Sequence, residues 1–164
     1  MASPLCERLE RSVRALERRG AWLPPLLARV TVGWIFVQSG WGKLHNLDQV
    51  VRFFTELGIP APQIQAPFAA STELVCGALV LAGLATRVAA LPLIIVMVVA
   101  LSTALADRIG ELSDLFALAE FCYIVMLVGL AVFGAGPVSL DASIARLWAQ
   151  HESVSARVIP TRDS

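Results

Sequence analysis

The chain has 164 residues, of which 57% are hydrophobic and 16% charged, with no formal net charge and a mean hydropathy of +0.71. A soluble domain of this size buries only about 60–70% of the surface of its unfolded chain and cannot hide so much apolar material, while intrinsic disorder demands the reverse composition. Three cysteines do not make a disulfide-stapled secreted scaffold, and a balanced charge does not suit nucleic acid, so the bilayer remains as the solvent.

The N-terminal segment 1–21 is polar, with Glu7, Glu10 and Glu17 among five arginines. Leu5, Leu9, Val13 and Leu16 follow Ser3-Pro4 at helical spacing. This reads either as an amphipathic helix on the inner membrane surface or as a solvated topogenic signal. The apolar run behind it is too long for the core of a signal peptide, so the segment is expected to be retained.

Four segments nearly free of charge follow, at 23–44, 64–85, 88–106 and 115–133, together half the chain. About 20 apolar residues cross the hydrocarbon core as a helix, and backbone in lipid must pair internally, which excludes open sheet. The expected fold is an all-α membrane protein: a four-transmembrane-helix bundle over 22–141 with a C-terminal tail over 142–164. Nine arginines fall on the side of the termini and the second loop, against Lys43, Arg52 and Arg108 on the other, which places both termini in the cytoplasm.

In the first external loop Asn46 is expected to cap a short helix, with Gln49 three residues on. Leu47, Val50, Val51, Phe54 and Leu57 line one face, and Gly58, Pro60 and Pro62 end it. This helix reads as a lid over the bundle end or as an ordinary interfacial anchor. Thr86 and Arg87 join the second and third spans tightly. The third loop, 107–114, is short and acidic.

An ionisable side chain inside a membrane costs about 2.5–3.5 kcal/mol on insertion scales and is a functional candidate for that reason. Arg29, Glu73 and Glu120 qualify, whereas Lys43 at a helix end is expected to reach the interface. At about 1.5 Å rise per residue, Arg29 and Glu73 lie about 8–12 Å apart along the membrane normal, a gap that two long side chains can span. Helical stripes predict a polar layer of Arg29, Glu73, Thr103, Glu120 and Tyr123. One cation against two carboxylates leaves a carboxylate able to take up a proton, which suits a quinone headgroup. The plainer reading is an Arg29–Glu73 packing clamp with Glu120 inert. Trp34, Gln38 and Trp41 lie on the opposite face of the first span, where a partner or a lipid would pack. No catalytic residue and no metal site is assigned: His45 and His151 fall on opposite sides, and Cys76 and Cys122 differ too much in depth to pair.

The chain resembles the DoxX family of small bacterial membrane proteins. The carriers are Arg29, Gly33, Phe36, Gly40 and Lys43-Leu44; Gly58, Pro60 and Pro62; Glu73 and Gly77; the run from Gly83 to Ala90; and the turn from Gly134 through Gly136-Pro137 to Ser139-Leu140-Asp141. The resemblance covers some 70% of the chain, and its order and spacing are more specific than any one piece. It implies a four-helix bundle in a bacterial inner membrane and a link to thiosulfate:quinone oxidoreductase subunits. Many members carry a histidine near the end of the third span, where this chain has Ser102, Thr103 and Asp107. The expected function is a redox-linked membrane subunit handling quinone, with other membrane or peripheral redox subunits as partners. The alternatives are a non-catalytic anchor for partner proteins and, with less support, a small-solute or proton transporter, since no paired broken helices or inverted repeats are visible.

Overall fold

The computed structural model describes residues 20–106 and 110–158. Over these residues it is all helical, with no strand: α1 (Leu23–His45), α2 (Leu47–Glu56), α3 (Pro62–Ala82), α4 (Thr86–Ser102), α5 (Leu112–Ala117), α6 (Ala119–Phe133) and α7 (Leu140–Val158). The amphipathic pattern of Leu5–Leu16 lies outside the described residues. Much of the stretch read as a C-terminal tail is the helix α7, capped where Ser139 Oγ accepts from the backbone N–H of Ala142 at 3.1 Å.

Helices α1, α3, α4 and α6 pack in a ring, α1 on α3, α3 on α4, α4 on α6 and α6 back on α1. The α1–α3 contact is the most extensive and runs antiparallel. A Cβ added at Gly33 would lie 2.7 Å from the backbone of Leu81, one at Gly77 2.8 Å from Phe36, and one at Gly40 2.5 Å from Leu74. Glycines here let two backbones approach as no larger residue permits. The core then closes on Val32, Phe36, Val80, Leu93, Leu127 and Leu130.

Helix ends follow the local chemistry. Gly83 stops α3 in a left-handed conformation (φ 72°), with Leu84 N–H donating to Leu79 O and Gly83 N–H to Val80 O, the paired bonds of a Schellman motif. Gly58 ends α2 with the same pair of bonds, as its position predicts. Asn46 differs from expectation. Its side chain does not cap α2; Nδ2 donates to Gly42 O at 2.9 Å and satisfies the end of α1 instead.

The run 115–133 is also not one helix. Leu118 is extended (φ −80°, ψ 131°) and separates α5 from α6. Two local contacts accompany the break. A reciprocal cap between Glu111 and Asp114 starts α5 at Leu112, and Phe116 packs edge-on against Phe121 at 5.1 Å across the gap. No glycine or proline marks the site, so hydropathy alone does not reveal it.

Among the described residues one helix, α3, is long and apolar enough to cross a membrane. The apolar helices α4 and α6 fall short at 17 and 15 residues. The 23 residues of α1 suffice in length, but Arg29, Gln38, Ser39, Lys43 and His45 lower its apolarity. The outward faces of these helices remain strongly apolar, with Phe68, Val88, Ile95, Val132 and Phe133 all more than half exposed. A contiguous apolar surface of this kind marks contact with lipid or protein.

Candidate ligand site at the Lys43–Glu73 pair

Ser39 and Lys43 sit four residues apart on one face of α1, with Gly40 between them against α3. This close approach lets even the short Ser39 side chain reach across. Its Oγ donates to Glu73 Oε2 at 2.8 Å, and Lys43 Nζ donates to Oε1 at 2.5 Å. Glu73 is fully buried, whereas the Lys43 side chain is 33% exposed. A buried carboxylate is tolerable only when its oxygens are engaged, and here each has a partner.

The pair forms part of the wall of a cavity of about 380 Å³ between α2, α3 and α4. Phe53, Phe54 and Leu57 of α2 and its C-cap cover it, and Phe68, Ala69, Ile95, Val99 and Ala100 line its sides. Besides the pair, its polar lining is Gln49, Gln65 and Thr103. Gln65 Nε2 donates to Pro60 O at 2.7 Å, and Thr103 Oγ1 to Val99 O at 2.7 Å. The cavity is thus an apolar slot with one ion pair at its wall. Lys43 has ammonium N–H donors beyond the one given to Glu73.

The expected polar layer divides. Glu73 and Thr103 line the same cavity, but Arg29 does not meet Glu73. Its Nη1 lies 3.5 Å from Ala135 O and its guanidinium rests on Gly83, ten residues and about 15 Å along α3 from Glu73. The correction follows from register: the glycine contacts set Arg29 opposite the end of α3 and Lys43 opposite Glu73. Lys43, expected to reach the interface, donates to Glu73 with a third of its side chain exposed. Glu120 lies half-buried in the first turn of α6, where the helix N-terminus favours a negative charge, and lines none of the described cavities. Tyr123 packs edge-on against Phe36 at 6.4 Å and belongs to the core. Ser39 was missed altogether. Its signal, a hydroxyl beside a small residue on the Lys43 face, becomes legible only once the register is known. Trp34, Gln38 and Trp41 are exposed on the outside of α1, and Trp41 stacks on His45 at 4.4 Å. Asp107 lies outside the described residues.

At the far end of the bundle the Gly83–Ala90 and Gly134–Asp141 sequences meet. Asp141 accepts from Ala85 N–H at 2.9 Å and from Thr86 N–H at 3.4 Å, while its own N–H donates to Gly83 O at 3.0 Å. A carboxylate from 55 residues away thus caps α4 and holds Ala85 in its left-handed conformation (φ 47°).

These features define a small helical bundle with a strongly apolar outer surface and, among the described residues, one ion pair beneath a covering helix. The chain belongs to the DoxX family, whose model matches residues 25–106. It is 45% identical over 78 residues to an uncharacterized membrane protein of Mycobacterium tuberculosis, Rv3486, covering 46% of this chain and 48% of that one. It is 31% identical to a Bacillus subtilis protein named "Putative oxidoreductase CatD" (71% of this chain, 83% of that one) and 29% identical to the inner membrane protein YphA of Escherichia coli (71% and 86%). The match thus spans about half the length of the mycobacterial relative. No solved structure matches.

Proposed function

We propose that the protein is a redox-linked membrane subunit that holds a quinone headgroup in the cavity beside Lys43 and Glu73. The observation that carries this reading is the placement of a buried ion pair on the wall of an otherwise apolar cavity. A quinone presents carbonyl acceptors on a flat apolar ring. Lys43 supplies a charged donor for a carbonyl oxygen, Glu73 and Ser39 hold that donor in place, and Phe53, Phe54 and Phe68 supply apolar walls. The volume of about 380 Å³ falls within the range of small-molecule sites. Phe68, Ile95 and Val99 line the cavity and are exposed, which offers an isoprenoid tail a way out of it. The printed name of the Bacillus relative favours a redox role. Electrons come, in this reading, from a partner subunit.

The topology belongs to the same proposal. Helices α1, α3 and α4 and the α5–α6 pair are the four spans, in a bacterial inner membrane with both termini cytoplasmic. The positive-inside count supports it. The cavity then opens at the outer half of the bilayer, with α2 as its lid.

The test is titration of a quinone analogue into purified wild type, Glu73→Gln and Lys43→Met. Each substitution is expected to weaken binding about tenfold or more, as loss of a charge-assisted hydrogen bond does. Unchanged affinity and unchanged pH dependence in both variants sink the reading.

A second reading, an assembly module for partner proteins, is favoured by Trp34 and Trp41, which are 54% and 59% exposed on one face of α1. It predicts that Trp34→Ala with Trp41→Ala loses a co-purifying partner while thermal stability stays intact.

A further inference from the structure

At the end of the bundle remote from the cavity, Arg29 has no counter-charge among the described residues. It is 7% exposed. Its Nη1 has only Ala135 O at 3.5 Å, and its buried Nε has no partner. Burying an unpaired guanidinium costs several kcal/mol, so the fold carries a penalty here that an anion would offset.

Arg29 opens onto a cleft of about 490 Å³ lined also by Trp22, Pro137, Ser139, Ser143 and Arg146. Arg146 Nη2 donates to Pro137 O at 3.1 Å, which holds the second guanidinium at the cleft. Among the described residues, no aspartate or glutamate lines it. Asp141 is nearby in sequence, but its carboxylate is taken by the N–H groups of Ala85 and Thr86. Two cations and, among the described residues, no acid make this a site suited to a phosphate-type oxyanion held by the arginines, since the hydroxyls of Ser139 and Ser143 already donate to Gly136 O and Ser139 O. The planar guanidinium fork matches such an anion in bidentate fashion.

We infer that this cleft binds a phosphate-bearing anion, namely the phosphate of an anionic phospholipid headgroup. The rim favours a lipid over free phosphate. Trp22, Val138 and Leu140 are exposed beside the charges, and Ile144, Leu147 and Trp148 continue the exposed apolar surface along α7. An acyl chain can lie there while the phosphate sits between the arginines. The site is separate from the Lys43–Glu73 cavity and stands whether or not a quinone binds there.

The test uses the full chain in detergent, mixed with phosphatidylglycerol or phosphatidylcholine, with retained lipid read by native mass spectrometry. Inorganic phosphate is titrated in parallel against thermal unfolding. Phosphatidylglycerol is expected to be retained in preference, and Arg146→Gln to weaken retention about fivefold, the effect of one cation near a membrane surface. Arg29→Gln is expected to weaken it further. Arg146 is exposed, so its variant reports even if Arg29→Gln does not fold. Arg87→Gln, at the same end but outside the cleft, is expected to change nothing. Saturable protection by phosphate without lipid preference, if lost in Arg146→Gln, supports the same site with free phosphate as its ligand. Equal retention of both lipids with no phosphate effect overturns the inference, as does an equal loss from Arg87→Gln and Arg146→Gln.

Discussion

Lys43 and Glu73 are thirty residues apart in the chain and 2.5 Å apart in the fold, the lysine a third exposed and the glutamate fully enclosed. Removing the lysine leaves a buried carboxylate with Ser39 as its remaining partner. Lys43→Met is expected to destabilise the protein by about 3 kcal/mol, near the low end for breaking a buried pair because the lysine is partly solvated. Glu73→Gln in the Lys43→Met background should recover part of that loss. Chemical unfolding in detergent, run as a double-mutant cycle, checks both expectations.

The α1–α3 contact depends on glycine for its distance. Gly40→Ala would set a Cβ 2.5 Å from Leu74 N and 2.7 Å from Ala70 O, both backbone atoms that cannot rotate away. A loss of about 1–3 kcal/mol is expected, the usual cost of overpacking. Gly129→Ala in α6 meets nothing within 4 Å and is expected to stabilise by about 0.5–1 kcal/mol through helix propensity. Melting temperatures moving in opposite directions are the readout.

Asp141 caps α4 from a remote segment. Asp141→Ala is expected to cost about 0.5–2 kcal/mol, the range for loss of a helix cap. Hydrogen exchange locates the effect: the amides of Ala85 and Thr86 should exchange faster, while those in the middle of α3 should not change.

Filling the cavity separates its volume from its charges. Ala100 lines it from α4, a helix that carries neither member of the Lys43–Glu73 pair. Ala100→Phe is expected to abolish binding of a quinone analogue while leaving the pair and the thermal stability close to wild type. Equilibrium binding measured beside a melting curve distinguishes this from general unfolding.

The proposed topology makes its own demand. Single cysteines at Thr55 and at Arg87, in a background without the native cysteines, should react with an impermeant thiol reagent from opposite sides of the membrane. Labelling of both from one side contradicts the four-span arrangement.

Hydropathy and charge count were enough to reach helical class and a membrane setting, and the order of motifs from Arg29 to Asp141 carried the resemblance to the family. Helical spacing and cap residues located the covering helix α2 and its stop at Gly58 within a residue of where they lie. They did not find the break at Leu118, because no helix breaker in the sequence marks it. Asn46 was misread for a related reason: its amide serves the end of α1 or the start of α2 equally well by sequence, and the turn between them decides.

The candidate site was half legible. Glu73 stood out because an acid in an apolar helix is costly, and that is a property of the residue and its neighbours alone. Its partners are a property of register. Arg29 and Lys43 share one stripe of α1, four turns apart, and depth estimated from the sequence gave Arg29 to Glu73 and Lys43 to the interface. Tertiary structure decides through the close contacts at Gly33, Gly40 and Gly77, which slide α1 along α3 until Lys43 faces the acid and Arg29 faces Gly83. The sequence by itself singled out Arg29, Glu73 and Glu120 as charges set in apolar segments. Only the packing of two backbones at glycine distance decided that Lys43 meets Glu73 and that Arg29 lies against Gly83.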